Sequence, residues 1–146
     1  VALNNVMYVS EGEWKTVTNL DEFSEAVAIA DEFGKPVVID FGAEWCNPCK
    51  EMDLVTFANE RVEGELSERF ELIKIKVDNV DEAPDKQVLF NTFVQGSLPG
   101  VVVYDSSVRL SDQMDAIRKG TAPDPAFRLN TFTGPDEFLP KIQAVE

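Results

Sequence analysis

Residues 37–52 read VVIDFGAEWCNPCKEM and carry the clearest structural pattern in the chain. Its first five residues are mostly apolar and β-branched, which is typical of a strand that is covered on both faces of a sheet. Proline is well tolerated in the first turn of a helix, so Pro48 indicates that a helix begins at the cysteines. The pattern therefore predicts a buried strand at 37–41 that leads into a helix with Cys46 at its N-terminus.

Apolar periodicity on either side of this stretch predicts alternating helices and strands. Upstream, Asn19 followed by Glu22 is the pattern of a capped helix start, and Gly34 is a typical helix end. Because a strand, a helix and a second strand then follow one another, we expect a parallel pair of strands. Downstream of the cysteines we expect a helix to about Phe57, a second helix at 59–70 and a buried strand at 72–77.

The second half of the chain is interrupted by Gly and Pro. We predict a short helix at 85–91, followed by a hairpin of strands 101–104 and 108–110 around a turn at 105–107. Residues 111–130 carry a short helical pattern that Pro123 and Pro125 break, so we expect a surface insertion there.

The two ends of the chain are expected to add one helix and two short strands. Residues 134–137 (GPDE) are typical of a helix start, with Phe138, Leu139 and Ile142 facing inward, although Pro140 argues against a straight helix. The β-like stretches 6–9 and 14–17 flank a turn, and we treat residues 1–18 as an N-terminal β extension of one domain, 1–146.

Composition excludes several classes of function. The 146 residues are 44% hydrophobic, enough for one core, and carry a net charge of −14. Such an acidic chain is a poor partner for nucleic acid or an anionic membrane surface, and its apolar runs fall far below the roughly 18 residues that span a bilayer. The absence of histidine excludes Ser-His-Asp triads, Cys-His pairs and imidazole metal sites. Because the chain begins at Val1 with no leader pattern, we expect that any targeting segment was removed or left out.

The two cysteines, Cys46 and Cys49, need a chemical explanation. A disulfide across three residues is a poor staple, at roughly 2 kcal/mol in the chain-entropy model, and structural zinc within one chain needs four Cys or His ligands. A helix N-terminus instead stabilises the Cys46 thiolate, and Cys49 can then resolve a mixed disulfide with a substrate. The spacing favours reversible thiol:disulfide exchange without a metal or organic cofactor, over a structural bridge or an intermolecular metal site.

Residues 38–50 (VIDFGAEWCNPCK) closely resemble the active-site segment of thioredoxins, and Leu98-Pro99 resembles their cis-proline element. The resemblance covers about residues 13–110 and 130–145, and it implies an α/β thioredoxin fold, a central mixed sheet with helices on both faces. Residues 49–53, with Thr56-Phe57, look more like the C-terminal domain of the bacterial thiol:disulfide interchange proteins of the DsbD family; Asn59, Val62 and Leu66 fit the same pattern.

The resemblance to the interchange family implies a reductant of partner-protein disulfides. In that family the domain faces the periplasm, receives electrons from a transmembrane partner and passes them to a neighbouring redox domain; we expect a monomer that does not itself enter the membrane. Three alternatives stay open: a cytoplasmic general thioredoxin, a disulfide-donating oxidase, and a non-redox binding or chaperone module. Asn47 and Gly100 replace the glycine and threonine usual in thioredoxins, and 111–130 has no clear counterpart.

Acidic and basic residues near the motif are expected to support the cysteines. The resemblance implies that Asp40 is a buried acid beneath the pair, where desolvation raises its pKa and lets it take the proton of Cys49; otherwise it is a strand-end acid in solvent. It also places Lys74 near that acid, unless Lys74 only reaches into water. Asp53 resembles a second acid that helps set the cysteine pKa values, but an exposed helical carboxylate is the simpler interpretation.

The residues that flank the cysteines are expected to shape access. Trp45 is predicted to limit water beside the nucleophile, with a core position as the alternative, and Asn47 and Pro48 support the pair between the cysteines. By resemblance, the Leu98-Pro99 bond is cis. Leu98 and Pro99, with Gly96, would then form an edge on which a substrate strand docks in β fashion.

Overall fold

A computed structural model describes residues 14–146, and the predicted stretch 6–9 lies outside the described residues. The chain forms a five-stranded sheet in the order β1-β3-β2-β4-β5. The first three strands in this order run parallel, and β4 pairs antiparallel with both β2 and β5. The strands are β1 (Lys15–Thr16), β2 (Val37–Gly42), β3 (Glu71–Lys76), β4 (Gly100–Tyr104) and β5 (Phe127–Leu129).

Helices cover both faces of the sheet, as the α/β thioredoxin fold requires. α1, α4 and α5 pack on one face, and α3 and α6 pack on the other. A π-helical segment, Met52–Thr56, continues α2. The helices are α1 (Leu20–Glu32), α2 (Asn47–Glu51), α3 (Glu60–Arg69), α4 (Pro84–Val94), α5 (Met114–Arg118) and α6 (Pro135–Gln143).

Strand β2 shows why the apolar run is buried on both faces. Val37, Ile39 and Phe41 point into the core beneath α1 and α4, whereas Val38 points into the core beneath α3 and α6. Side chains alternate between the faces of a strand, so Asp40 lies on the same face as Val38. The central position of β2, between β3 and β4, therefore carries a carboxylate into the α3 side of the core.

The predicted start of α1 is confirmed, with one difference. Asn19 caps the helix by accepting the N–H of Glu22 at 2.8 Å. The Glu22 carboxylate accepts the backbone N–H of Thr18 at 2.7 Å, one residue before the position that a standard capping box uses. Gly34, with a φ of 64°, follows the helix end, as expected.

The predicted hairpin at 101–110 is wrong. β4 forms as expected, but Leu110 begins a 3-10 turn, and the strand that pairs with β4 is β5, with Val102 opposite Arg128. A strand of three residues is too short to produce a readable alternation, and its partner lies more than twenty residues away in sequence.

Residues 111–130 are integrated into the fold, which corrects the expected surface insertion. Met114 and Ile117 of α5 are buried in the core, and β5 forms an edge of the sheet. The buried Tyr104 hydroxyl donates a hydrogen bond of 2.8 Å to the carbonyl of Pro123, which fixes the connection between α5 and β5. Burial also raises the pKa of Tyr104 well above its usual value.

The C-terminal helix forms despite Pro140. α6 runs without interruption over nine residues, and Phe138, Leu139 and Ile142 are buried as predicted. In the described part of the chain, residues 14–146, no helix has the length and apolarity that crossing a membrane requires.

Gly100 is required by close packing at the start of β4. A Cβ atom at this position would lie 2.9 Å from the Ser97 carbonyl oxygen and 2.9 Å from Cγ1 of Val94. The glycine that departs from the thioredoxin pattern therefore has a steric reason in this chain.

We predict that Gly100→Ala lowers the free energy of unfolding by about 1–3 kcal/mol, because the backbone of Ser97 must move. Gly64→Ala is the matched control, since its Cβ would meet nothing within 4 Å in the middle of α3. That control should stabilise the protein by about 0.5–1 kcal/mol through helix propensity. Urea unfolding of both variants measures the difference; equal effects would contradict the steric argument.

Candidate active site

The two cysteines lie at the start of α2, just after the C-terminal end of the central strand β2. Cys46 is the N-cap residue, and Asn47 and Pro48 are the first two helical residues. The Cys46 sulfur accepts the backbone N–H of Cys49 at 3.2 Å. The cysteines form a disulfide with their Cα atoms 5.3 Å apart. The Cys46 sulfur is therefore the one that receives a helix-terminal N–H.

Cys49 lies against strand β2. Its sulfur lies 4.0 Å from the carbonyl oxygen of Phe41 in β2. Cys46 and Cys49 are 5% and 6% exposed, so exposure does not distinguish them. Their different positions do, because only Cys46 occupies the helix end, where backbone N–H groups stabilise a thiolate.

Asp40 and Lys74 form a buried charge pair beneath the cysteines. They are direct partners in the register of β2 and β3, and both side chains are 8% exposed. The Lys74 ammonium lies 3.9 Å from Oδ2 of Asp40 and 3.3 Å from Oδ1 of Asp53. Neither Asp40 nor Lys74 therefore reaches into solvent, and Asp53 contacts Lys74 although its side chain is 44% exposed.

One cavity brings these groups together with Cys49. Asp40, Cys49, Asp53 and Lys74 line a space of about 110 Å³, together with residues 42–44, Lys50 and Lys76. This volume holds a few water molecules. The arrangement places a buried carboxylate and the inner cysteine around one small polar space, where a proton can pass between them directly or through water.

The residues beside the cysteines are exposed. Trp45 is 68% exposed, so the alternative of a core position is wrong and its ring lies on the surface next to Cys46. Asn47 and Pro48 are exposed as well. An indole of this exposure presents a large apolar surface to an approaching protein.

The loop before β4 lies at the cysteine end of the sheet. The Leu98-Pro99 peptide bond is cis, as expected. In the register of β2 and β4, Gly100 is opposite Phe41, whose carbonyl faces Cys49. Pro99 is buried, Leu98 packs against the core cluster that contains both cysteines, and Gly96 is exposed. These three residues therefore border the same end of the sheet as the disulfide.

Two residues near the site were missed by sequence reasoning. The ammonium of Lys74 lies over the ring of Trp14, 5.4 Å from its centroid. Asp78 accepts the backbone N–H of Glu44 at 2.6 Å and so fixes the loop before Trp45. No local pattern marks either residue, because both contacts join segments distant in sequence.

Within residues 14–146, no group of three or more His, Cys, Asp or Glu side chains is arranged to hold a metal ion. The redox group in this structure is the Cys46–Cys49 disulfide.

Comparison with known proteins identifies relatives of this arrangement. A family model described as thioredoxin-like matches residues 18–106. The thiol:disulfide interchange protein DsbD of Ralstonia nicotianae is 31% identical over 93 residues, which cover 64% of this chain and 15% of the relative. DsbD of Vibrio vulnificus is 33% identical over 113 residues, which cover 73% of this chain and 18% of the relative. The chain thus spans less than a fifth of the length of these curated relatives.

Solved structures give the same picture. The oxidised C-terminal domain of DsbD from Neisseria meningitidis superposes with a TM-score of 0.60 at 28% identity, covering 85% of this chain and 92% of that domain. A thioredoxin from Thermus thermophilus superposes with a TM-score of 0.64 at 22% identity, covering 91% of this chain and 85% of that one. The second likeness concerns the fold alone.

We predict different titrations for the two thiols. In reduced Cys49→Ser, the remaining Cys46 should react with iodoacetamide with a pKa below about 8.5, because the helix start stabilises its thiolate. In reduced Cys46→Ser, the remaining Cys49 should titrate above that value, because it lacks the helix-end position and shares its cavity with the Asp40 carboxylate, whose negative charge disfavours a thiolate. Alkylation rates measured against pH test both variants. The reverse order would contradict the assignment of Cys46 as the attacking thiol.

Proposed function

Because the chain belongs to the thioredoxin-like family and carries a Cys-x-x-Cys disulfide at a helix start, we propose that this thiol:disulfide oxidoreductase reduces the disulfides of partner proteins. The observation that carries the proposal is the asymmetry of the pair. Cys46 receives the N–H of Cys49 at the helix end, whereas Cys49 shares a buried cavity with Asp40. One sulfur is arranged to attack and the other to resolve.

The first step is attack by the Cys46 thiolate on a partner disulfide. A bond forms between the Cys46 sulfur and one partner sulfur, and the other partner sulfur leaves as a thiolate. The backbone N–H that Cys46 accepts lowers the cost of holding its charge before attack. In our proposal the exposed Trp45, Asn47 and Pro48 contact the partner, while Gly96, Leu98 and Pro99 offer the edge for its extended backbone.

The second step releases the partner. Cys49 gives its proton to Asp40 and attacks the Cys46 sulfur, the partner's second sulfur leaves as a thiolate, and the Cys46–Cys49 disulfide forms. Two electrons thereby pass from the cysteine pair to the partner. Lys74 contacts the Asp40 carboxylate and Asp53 contacts Lys74, so both act on the proton acceptor through electrostatics.

The interchange relatives support a more specific setting for this reaction. We place the domain, as one unit of residues 1–146, in the periplasm as a monomer. A membrane-embedded donor would reduce it, and a neighbouring redox domain would oxidise it. The support is the similarity to the DsbD proteins and to the C-terminal domain of the Neisseria protein. A cytoplasmic thioredoxin would share the chemistry but not this donor.

The reduction potential separates a reductant from a disulfide-donating oxidase. Equilibration of the protein with a thioredoxin couple should give a value near that of thioredoxin, about −270 mV, whereas an oxidase lies near −120 mV. The ratio of oxidised to reduced protein is measured by alkylation and mass spectrometry. A potential near the oxidase value would refute the reductant. Full cellular function of a Cys46→Ser, Cys49→Ser double variant would instead support a non-redox binding module.

We predict that Asp40→Asn slows the release step at pH 7 by at least about 100-fold, since the proton acceptor of Cys49 is lost. Attack by Cys46 should change little, because its stabilising N–H comes from the backbone. Single-turnover kinetics with a disulfide-bonded protein separate the two steps. Asp115→Asn, which alters an exposed carboxylate on α5, is the matched control and should leave both rates unchanged. An equal loss in both steps would exclude a specific role in proton transfer.

A further inference from the structure

Lys74 and Asp53 separate two cavities. The inner cavity is the one that contains Asp40 and Cys49. An outer cavity of about 420 Å³ lies between the active-site helix and α3, and Trp14, Leu54, Phe57 and Glu63 contribute to its lining. Both cavities are lined by Lys74 and Asp53. The ion pair of these two residues, 3.3 Å apart, therefore forms the wall between the cavities.

Trp14 covers Lys74 on the outer side of this wall. The Lys74 ammonium lies 5.4 Å from the centroid of the Trp14 ring, within the range of a cation–π contact. Trp14 is only 7% exposed and packs against Phe57, with 5.2 Å between ring centroids. Phe57 packs in turn against Phe138 at 5.6 Å. The ring is thus held in place by the α3 side of the core.

The backbone of Lys74 is fixed, so the ammonium can move from one cavity to the other only by a change of side-chain rotamer. In the sheet, Thr16 and Asp40 flank Lys74 on its two sides, and the N–H of Val17 donates to the Lys74 carbonyl at 2.9 Å. The long side chain has carboxylates in both directions, Asp40 in the inner cavity and Glu63 in the outer one. Asp53 lines both cavities, so its 3.3 Å contact with the ammonium does not by itself select the inner side.

We propose that Trp14 is a positioning residue for thiol exchange, because its contact with the Lys74 ammonium, which borders both cavities, keeps that ammonium beside Asp40. This inference rests on the proposed function, since it concerns the proton that Cys49 gives to Asp40. The charged groups around Lys74 come from the elements packed against it. They are Asp40 from β2, Asp53 from the active-site helix, Glu63 from α3, Lys76 from β3, and Glu44 and Lys50 from the lining of the inner cavity.

Loss of the ring should therefore change how Asp40 holds a proton. In Trp14→Leu, the Lys74 side chain loses its contact with the ring and can turn toward Glu63, which moves positive charge away from the Asp40 carboxylate. A buried carboxylate without that charge binds its proton more tightly, so Asp40 becomes a base only at higher pH. The release step should follow this change, whereas attack by Cys46 should not.

The test is the pH profile of the release step in single-turnover reduction of a disulfide-bonded protein. We expect Trp14→Leu to move the midpoint to higher pH by about half a unit or more. Trp14→Phe keeps a ring over Lys74 and should restore the wild-type midpoint. Lys74→Met should move it in the same direction as Trp14→Leu, and at least as far.

Phe23→Leu is the control for packing. It removes a buried aromatic ring from the core on the other face of the sheet, where Phe23 packs against Phe93, so it should lower stability and leave the midpoint unchanged. A Trp14→Leu midpoint equal to wild type, or an equal shift in Phe23→Leu, would overturn the positioning role. A wild-type protein that reduces no protein disulfide would instead refute the proposed function itself.

If Trp14→Leu does not fold, an NMR measurement on the wild-type protein tests the contact between the Trp14 ring and Lys74. The ring current of Trp14 should shift the NMR signals of the Lys74 ε-methylene protons upfield. Lys76, exposed on the same strand, serves as the internal reference. Coincident ε-methylene shifts for Lys74 and Lys76 would show that the ring does not hold the ammonium.

Discussion

The contact between Asp40 and Lys74 is the constraint on which the site depends. Two charges that are 6% exposed cost several kcal/mol each to desolvate, and this cost is met only when each charge keeps a partner. The register of β2 and β3 makes them neighbours, and the parallel pairing of those strands depends on the helices between them. The charge pair is therefore weak evidence for stability and stronger evidence for function, since an apolar pair would fill the same space at lower cost.

The π-helical segment after α2 brings the second carboxylate to this pair. The N–H of Phe57 donates to the carbonyl of Met52 at 2.8 Å, which is the wider spacing of a π turn. Met52 and Thr56 are buried by this turn, and Thr56 donates to the Thr133 carbonyl at 2.5 Å. Asp53 stands on the same turn and contacts Lys74. A segment before α6 therefore fixes the part of the active-site helix that carries Asp53.

The elements predicted correctly from the sequence are those marked by a local residue pattern. Pro48 marks the helix start at Cys46, Asn19 marks the start of α1, and the apolar run of β2 requires burial on both faces. The failures are contacts between distant segments. β5 is three residues long, so nothing local distinguishes it from a loop.

The same limit applied to the candidate site. Asp40 and Lys74 were both placed near the cysteines through the resemblance. Trp14 could not be placed at all, because its contact with Lys74 forms only when β1 pairs with β3. The exposure of Asp53 was expected, but its contact with Lys74 depends on a π turn that no residue pattern announced.

Charge balance gives a physical reason for this particular set of groups. In the proposed release step, the buried space first holds the Asp40 carboxylate, the Lys74 ammonium and a neutral Cys49 thiol, while Asp53 is partly screened by solvent. When the proton moves from Cys49 to Asp40, a thiolate appears as a carboxylate disappears, so the net charge of the cavity does not change. Charging Cys49 by loss of its proton to bulk water would instead add an uncompensated anion to a buried site. An internal acceptor therefore lets the resolving sulfur ionise without a change in the net buried charge, and the fixed ammonium of Lys74 faces the negative charge in whichever of the two groups carries it.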